Sequence, residues 1–154
     1  MRDLNPYIFQ FDPDLHTLGY VQRRSAFLLS AILAVSAKAF NPSVYHILQS
    51  HAEDLFTRCF RSGKKSTEII QAILVLTYWK EPDDTRAWLS VGYVIRMCME
   101  LGWHKITPKS RKDLEALSNI EWKENRNIER TWLLLFVYDR RYVKYGQTPH
   151  RETY

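Results

Sequence analysis

The residues of this chain that could do chemistry are few, and their positions exclude most of it. His46 and His51 lie about 140° apart on a helix. Cys59 and Cys98 have no second Cys or His two to four residues away, so no tetrahedral zinc set is expected. Gly63-Lys64-Lys65-Ser66 ends like a phosphate-binding loop, but such a loop needs a glycine where Arg58 stands and a strand before it, and helix is expected there. The adjacent acids Glu53-Asp54 and Asp83-Asp84 point in different directions on a helix, and no Gly-x-Ser-x-Gly elbow occurs. These observations predict no catalytic residue, no metal ligand and no cofactor in this chain.

Asp139 is more informative. On a helix it shares a stripe with Ile128, Trp132, Leu135, Phe136, Tyr142 and Val143, and a carboxylate buried there is costly without a donor. Arg96 is its expected partner. Arg130 and Arg140 join these two as candidate polar anchors, of the structure or of a ligand pocket. Trp79, Trp88, Met97, Met99, Trp103 and Trp132 are the candidate apolar lining of such a pocket, with core filling as the alternative. Gly92 sits in the middle of an apolar helix, where it costs about 1 kcal/mol relative to Ala; a close approach of a second helix would account for it. His51 falls on an apolar stripe and is expected to be buried and hydrogen-bonded.

The elements that must position these residues are helical. Residues 1–22 have no helical period and carry Tyr7, Ile8, Phe9 and Phe11 among prolines and aspartates, which predicts an extended aromatic arm. A single helical domain, 23–154, follows. Arg23 to Phe40 is apolar on every side and belongs at the centre of a bundle. Asn41-Pro42 restarts the chain as a second helix, which Gly63 ends. Ser66 or Thr67 opens a third, stopped by Pro82, and Asp83-Asp84 lead a fourth that runs to Gly102. A basic connector with Pro108 precedes Ser118-Asn119-Ile120-Glu121, a capping box that opens a fifth helix reaching about Lys144 before Gly146 and Pro149. No strand alternation and no internal repeat is visible. The fold class is therefore all-α, a bundle of about five antiparallel helices with an extended N-terminal arm.

Composition agrees with one globular domain. Of 154 residues 45% are hydrophobic and 14% aromatic, enough to form a core, and five Gly with six Pro exclude fibrous and low-complexity classes. The nearly uncharged run Ser25 to Ala37 is too short to span a bilayer. Two cysteines without a leading signal sequence point to a reducing, intracellular compartment. The net charge of +5 is mild, and Arg58, Arg61, Lys64 and Lys65 close a helix rather than form a stripe for nucleic acid.

Two ordered blocks carry a family resemblance. Arg86-Ala87-Trp88, Gly92, Ile95-Arg96-Met97 and Leu101-Gly102-Trp103-His104-Lys105 form the first. Glu129-Arg130, Trp132, Phe136 and Asp139-Arg140, followed by Gly146 and Pro149, form the second. Together with Arg24 to Ala34 upstream, they resemble the fungal-specific regulatory domain, the middle homology region of binuclear zinc-cluster transcription factors. That family has Gly-Arg-Pro where this chain has Gly146-Gln147-Thr148-Pro149. The resemblance implies a truncated regulatory domain of a nuclear, sequence-specific transcription factor, one that restrains or licenses activation and responds in some members to a small molecule. Zinc would belong to the DNA-binding cluster, which this chain lacks. The expected partners are the transcription machinery or regulatory proteins, a small-molecule effector and a second copy of the chain, with no direct contact to DNA or membrane. A helical interaction scaffold without an effector is the alternative. An effector sensor should enclose a cavity lined by several of the named Trp and Met side chains, whereas a scaffold should expose an apolar patch.

Overall fold

The structure, a computed structural model, describes residues 11–106 and 117–145, with side chains described as far as Arg140. Tyr7, Ile8 and Phe9 of the expected arm, the Pro108 connector and the Gly146-to-Pro149 turn lie outside the described residues. Within them every regular element is helical: α1 Leu18–Arg24, α2 Ala26–Phe40, α3 Tyr45–Arg61, α4 Thr67–Tyr78, α5 Ala87–Glu100 and α6 Asn119–Tyr145, with short 3-10 turns at Pro42–Val44 and Trp103–Lys105.

Hydroxyl caps decide where several helices start. Thr17 Oγ1 accepts the Tyr20 N–H at 3.2 Å, Ser25 Oγ that of Leu28 at 3.1 Å and Ser66 Oγ that of Ile69 at 3.2 Å. Ser25 is extended and both ends α1 and caps α2. This corrects two expectations: the first helix is interrupted at Ser25, and α1 occupies residues assigned to the extended arm. Serine gives its own backbone an alternative to the helical ladder, which apolar periodicity does not register. The capping box forms as expected, with Ser118 N–H donating to Glu121 Oε2 at 2.9 Å and Glu121 N–H to Ser118 Oγ at 3.4 Å. Gly63 takes φ +64° beyond α3, where Lys64 N–H reaches the Cys59 carbonyl at 3.3 Å, a Schellman closure.

Helices α2 and α4 form the centre. Phe27, Leu28, Ala31, Val35, Ile70, Ile73, Leu74 and Val75 are buried between them and their neighbours. Helix α2 packs on α1, α3 and α4; α4 packs on α5 and α6; α5 packs on α6.

Polar contacts then fix α6. Tyr20 Oη donates to Glu124 at 3.2 Å, and Arg24 bridges Glu68 at 3.0 Å and Glu124 at 3.2 Å. Gln71 Nε2, fully buried, donates to Asn127 Oδ1 at 2.8 Å and Thr131 Oγ1 at 3.2 Å. As a result α6 turns Asn127, Thr131, Leu135 and Tyr138 inward, whereas Leu133, Phe136 and Val137 are exposed. The stripe expected through Trp132, Phe136 and Asp139 is therefore not the buried centre of α6, because satisfied polar side chains take inward positions that hydropathy assigns to solvent.

Candidate functional site

Five of the residues singled out in the sequence come together in an open groove between α5 and α6. It is lined by Trp88, Gly92, Ile95, Arg96, Met99 and Asp139 and has a volume of about 360 Å³. The α5 wall follows from spacing. Trp88, Gly92, Ile95 and Met99 recur at four, three and four residues, the seam that a helix normally presents to another helix. Here Trp88 is 55% and Met99 50% exposed.

Arg96 and Asp139 face the groove from different helices. Asp139 is half-buried and carries no ion pair or hydrogen bond among the described residues. Arg96 is exposed, and its Nη1 donates to the Gly92 carbonyl of its own helix at 3.1 Å. The expected Arg96–Asp139 pair is therefore not formed. Two other cations of the bundle are engaged elsewhere, Arg24 with Glu68 and Glu124, and Lys38 with Glu81 at 2.9 Å and the Trp79 carbonyl at 2.8 Å.

Gly92 also departs from expectation. Among the described residues a methyl group built there meets only the Arg96 guanidinium, at 3.4 Å, so no neighbouring backbone among them requires glycine. The glycine leaves a notch in the groove wall.

The remaining candidate residues do not converge on one pocket. Met97 and Trp103 are core side chains, and Trp103 meets Trp132 edge-on at 6.5 Å between ring centres. Trp132 packs edge-on against Phe136 at 4.7 Å. Arg130 reaches Asp12 at 3.4 Å, and Arg140 is exposed. Trp79 lines a separate cavity of about 80 Å³ among α2, α3, α4 and α5, with Tyr45, Phe56 and Ile73. Arg86 bridges Asp84 at 2.8 Å and Glu53 at 3.0 Å at the polar side of this cavity. His51 is exposed, which corrects its expected burial.

The seam partner Ile95 was legible only as part of an apolar helix; its spacing from Trp88, Gly92 and Met99 was the available signal. Sequence reasoning missed the buried polar cluster outright. His16 is buried, and Asp12 N–H donates to its Nδ1 at 3.0 Å. Burial pushes the imidazole below its ordinary pKa of 6.5, against the opposing pull of the Asp12 backbone bond and the Gln71 side chain.

The two thiols are not activated as nucleophiles. Burial raises the Cys98 thiol to about 12 and also raises Cys59, so neither is a ready thiolate. Among the described residues no three His, Cys, Asp or Glu side chains gather to hold a metal ion, and no helix is long and apolar enough to cross a membrane.

Two comparisons with known proteins give matches. A family model for the fungal specific transcription factor domain matches residues 9–152. Protein priB of Lentinula edodes is 37% identical over 139 residues, covering 89% of this chain and 22% of that protein. The chain thus spans about a fifth of the length of that curated relative. No solved structure matches it.

Proposed function

This chain belongs to the fungal specific transcription factor domain family, and on that premise we propose that it is the regulatory part of a nuclear, sequence-specific transcription factor. It restrains or licenses activation through contacts with regulatory proteins or the transcription machinery, and it does not itself contact DNA. The family is one of transcription-factor domains rather than enzymes, which is consistent with a non-enzymatic role. Zinc, on this reading, serves a DNA-binding cluster elsewhere in the parent protein.

The observation that carries the reading is the exposed helical seam on α5 beside α6. Trp and Met side chains left half in water along α5, beside α6, suit a protein-interaction surface better than a solid structural face. The test is a reporter gene driven by an unrelated DNA-binding and activating module, with and without this chain fused to it. The chain should change reporter output and should show only weak, salt-sensitive affinity for duplex DNA in fluorescence anisotropy. Unchanged output, or sequence-selective nanomolar DNA binding at physiological salt, would overturn it.

Effector sensing is favoured by a different observation. The Trp79 indole N–H is buried without an acceptor, and Trp79 lines the cavity of about 80 Å³. That volume suits only a very small solute and is below the usual range for ligand pockets. A thermal-shift screen of small hydrogen-bond acceptors, with Trp79→Phe as the comparison, tests it. A stabilising compound whose effect disappears in the variant would support a sensor.

A further inference from the structure

The α5 seam bears the marks of a helix-packing surface without its helix. Trp88, Gly92, Ile95 and Met99 keep a coiled-coil interval, yet Trp88 and Met99 remain half exposed. Among the described residues the Gly92 notch has no neighbouring backbone against it; the nearest atom to an added Cβ is the movable end of Arg96. We propose that the groove lined by Trp88, Gly92, Ile95, Arg96, Met99 and Asp139 receives an amphipathic helix of a partner protein, carrying carboxylates along the flank beside α5 and cations along the flank beside α6.

Charge sets this choice of occupant. Arg96 uses one of its N–H groups on Gly92 and forms no ion pair among the described residues, which leaves the rest of its donor fork for an incoming carboxylate. Asp139, half-buried and unpaired among the described residues, gains from an incoming cation. Opposite charges on the two walls fix the register and direction of a docked helix, as flanking charges do in coiled coils. Its apolar stripe, read at three- and four-residue intervals, would cover Trp88, Ile95 and Met99, and a large side chain would enter the Gly92 notch. This rests on the interaction reading above and names the chemistry of the partner.

The probes are synthetic helical peptides of about 16 residues, long enough to run beside α5. All share one leucine stripe; they differ in carrying Glu on one flank and Lys on the other, Glu on both, or Lys on both. Binding to the 154-residue chain is measured by calorimetry. The mixed peptide should bind best. The Glu-only peptide should bind about tenfold more weakly because it meets Asp139, and Asp139→Asn should recover most of that loss. The Lys-only peptide should lose about as much against Arg96, and Arg96→Gln should recover it. Gly92→Leu should abolish binding with an unchanged denaturant midpoint; should that variant unfold, the two charge substitutions still decide the matter. Peptide affinities indifferent to residues 96 and 139 would overturn the proposal, as would no binding by any peptide. Self-association in sedimentation that depends on Gly92 would overturn it too, by placing a second copy in the groove. If peptides fail while reporter output still responds to the chain, this inference falls and the regulatory reading stands; if both fail, both fall.

Discussion

Arg96 and Asp139 line one groove from two helices without pairing: the Arg96 guanidinium turns back to the Gly92 carbonyl at 3.1 Å, and Asp139 stays half-buried and alone among the described residues. A stabilising pair would couple the two energetically, and this arrangement does not. Asp139→Ala should therefore cost under about 1 kcal/mol, well short of the roughly 3 to 5 kcal/mol lost when a buried pair is broken. The double variant with Arg96→Ala should equal the sum of the single changes to within about 0.5 kcal/mol. Urea midpoints of the four proteins measure this, and a larger coupling would mean that the two groups meet in solution.

Gly92 follows from the same geometry. In a helix interior glycine is less favourable than alanine by up to about 1 kcal/mol, and a Cβ here meets only the movable end of Arg96 at 3.4 Å. Gly92→Ala should raise the denaturant midpoint, and Gly92→Leu should fold, its side chain lying in the groove. A drop of several kcal/mol for the leucine variant would reveal a close backbone contact that the described residues do not show.

Much of the fold could be read because caps and breakers act locally. Ser66, the Ser118–Glu121 box and Gly63 each mark a helix end through their own hydrogen bonds or backbone angle. Ser25 was missed because an apolar run continues through it, and only its hydroxyl bond to Leu28 shows the break. The larger error was the orientation of α6. Hydropathy counts Asn127 and Thr131 as outward, yet Gln71 on α4 satisfies both, and that tertiary pairing turns Asp139 toward the edge of the core. Most of the groove was legible: Trp88, Gly92, Arg96, Met99 and Asp139 could be named, but single-helix phase cannot distinguish a seam facing the core from one facing water.

That buried amide pairing gives a third prediction. Gln71→Leu removes the donor to Asn127 and Thr131 and leaves buried acceptors without it, a cost of about 1 to 3 kcal/mol. Replacing Gln71 and Asn127 with Leu and Thr131 with Val should cost less than the three single changes combined, since the triple change strands none of these three against another and leaves only the Gln71 contact to His16 lost. Leu133→Gln, on the exposed side of α6, is the control and should stay within about 0.5 kcal/mol of the parent. Equal costs for Gln71→Leu and Leu133→Gln would remove the cluster as the determinant of α6 orientation.

The pH dependence of stability should carry the signature of His16. Burial depresses its pKa below 6.5, so the unfolded chain takes up a proton near that pH while the folded chain resists it. The neutral ring costs nothing above about pH 6.5, and stability falls as the pH drops below that value toward the lower folded-state pKa. Asp12 pulls the imidazole up and Arg130 pushes it down, while Gln71 and the rings of Phe11 and Tyr20 supply no charge. Asp12 acts in a separate, more acidic window. Burial would raise its carboxyl, but the Asp14 N–H and the Arg130 guanidinium hold it below 3.8, so its stabilisation is lost only as pH falls past that point. Between pH 7.5 and 5 the denaturant midpoint should therefore decline, and His16→Gln should flatten the decline even if it lowers stability throughout. An unchanged slope in the variant would show that His16 already exchanges its proton with solvent in the folded chain, and that the contact between the segment before α1 and helices α4 and α6 opens readily.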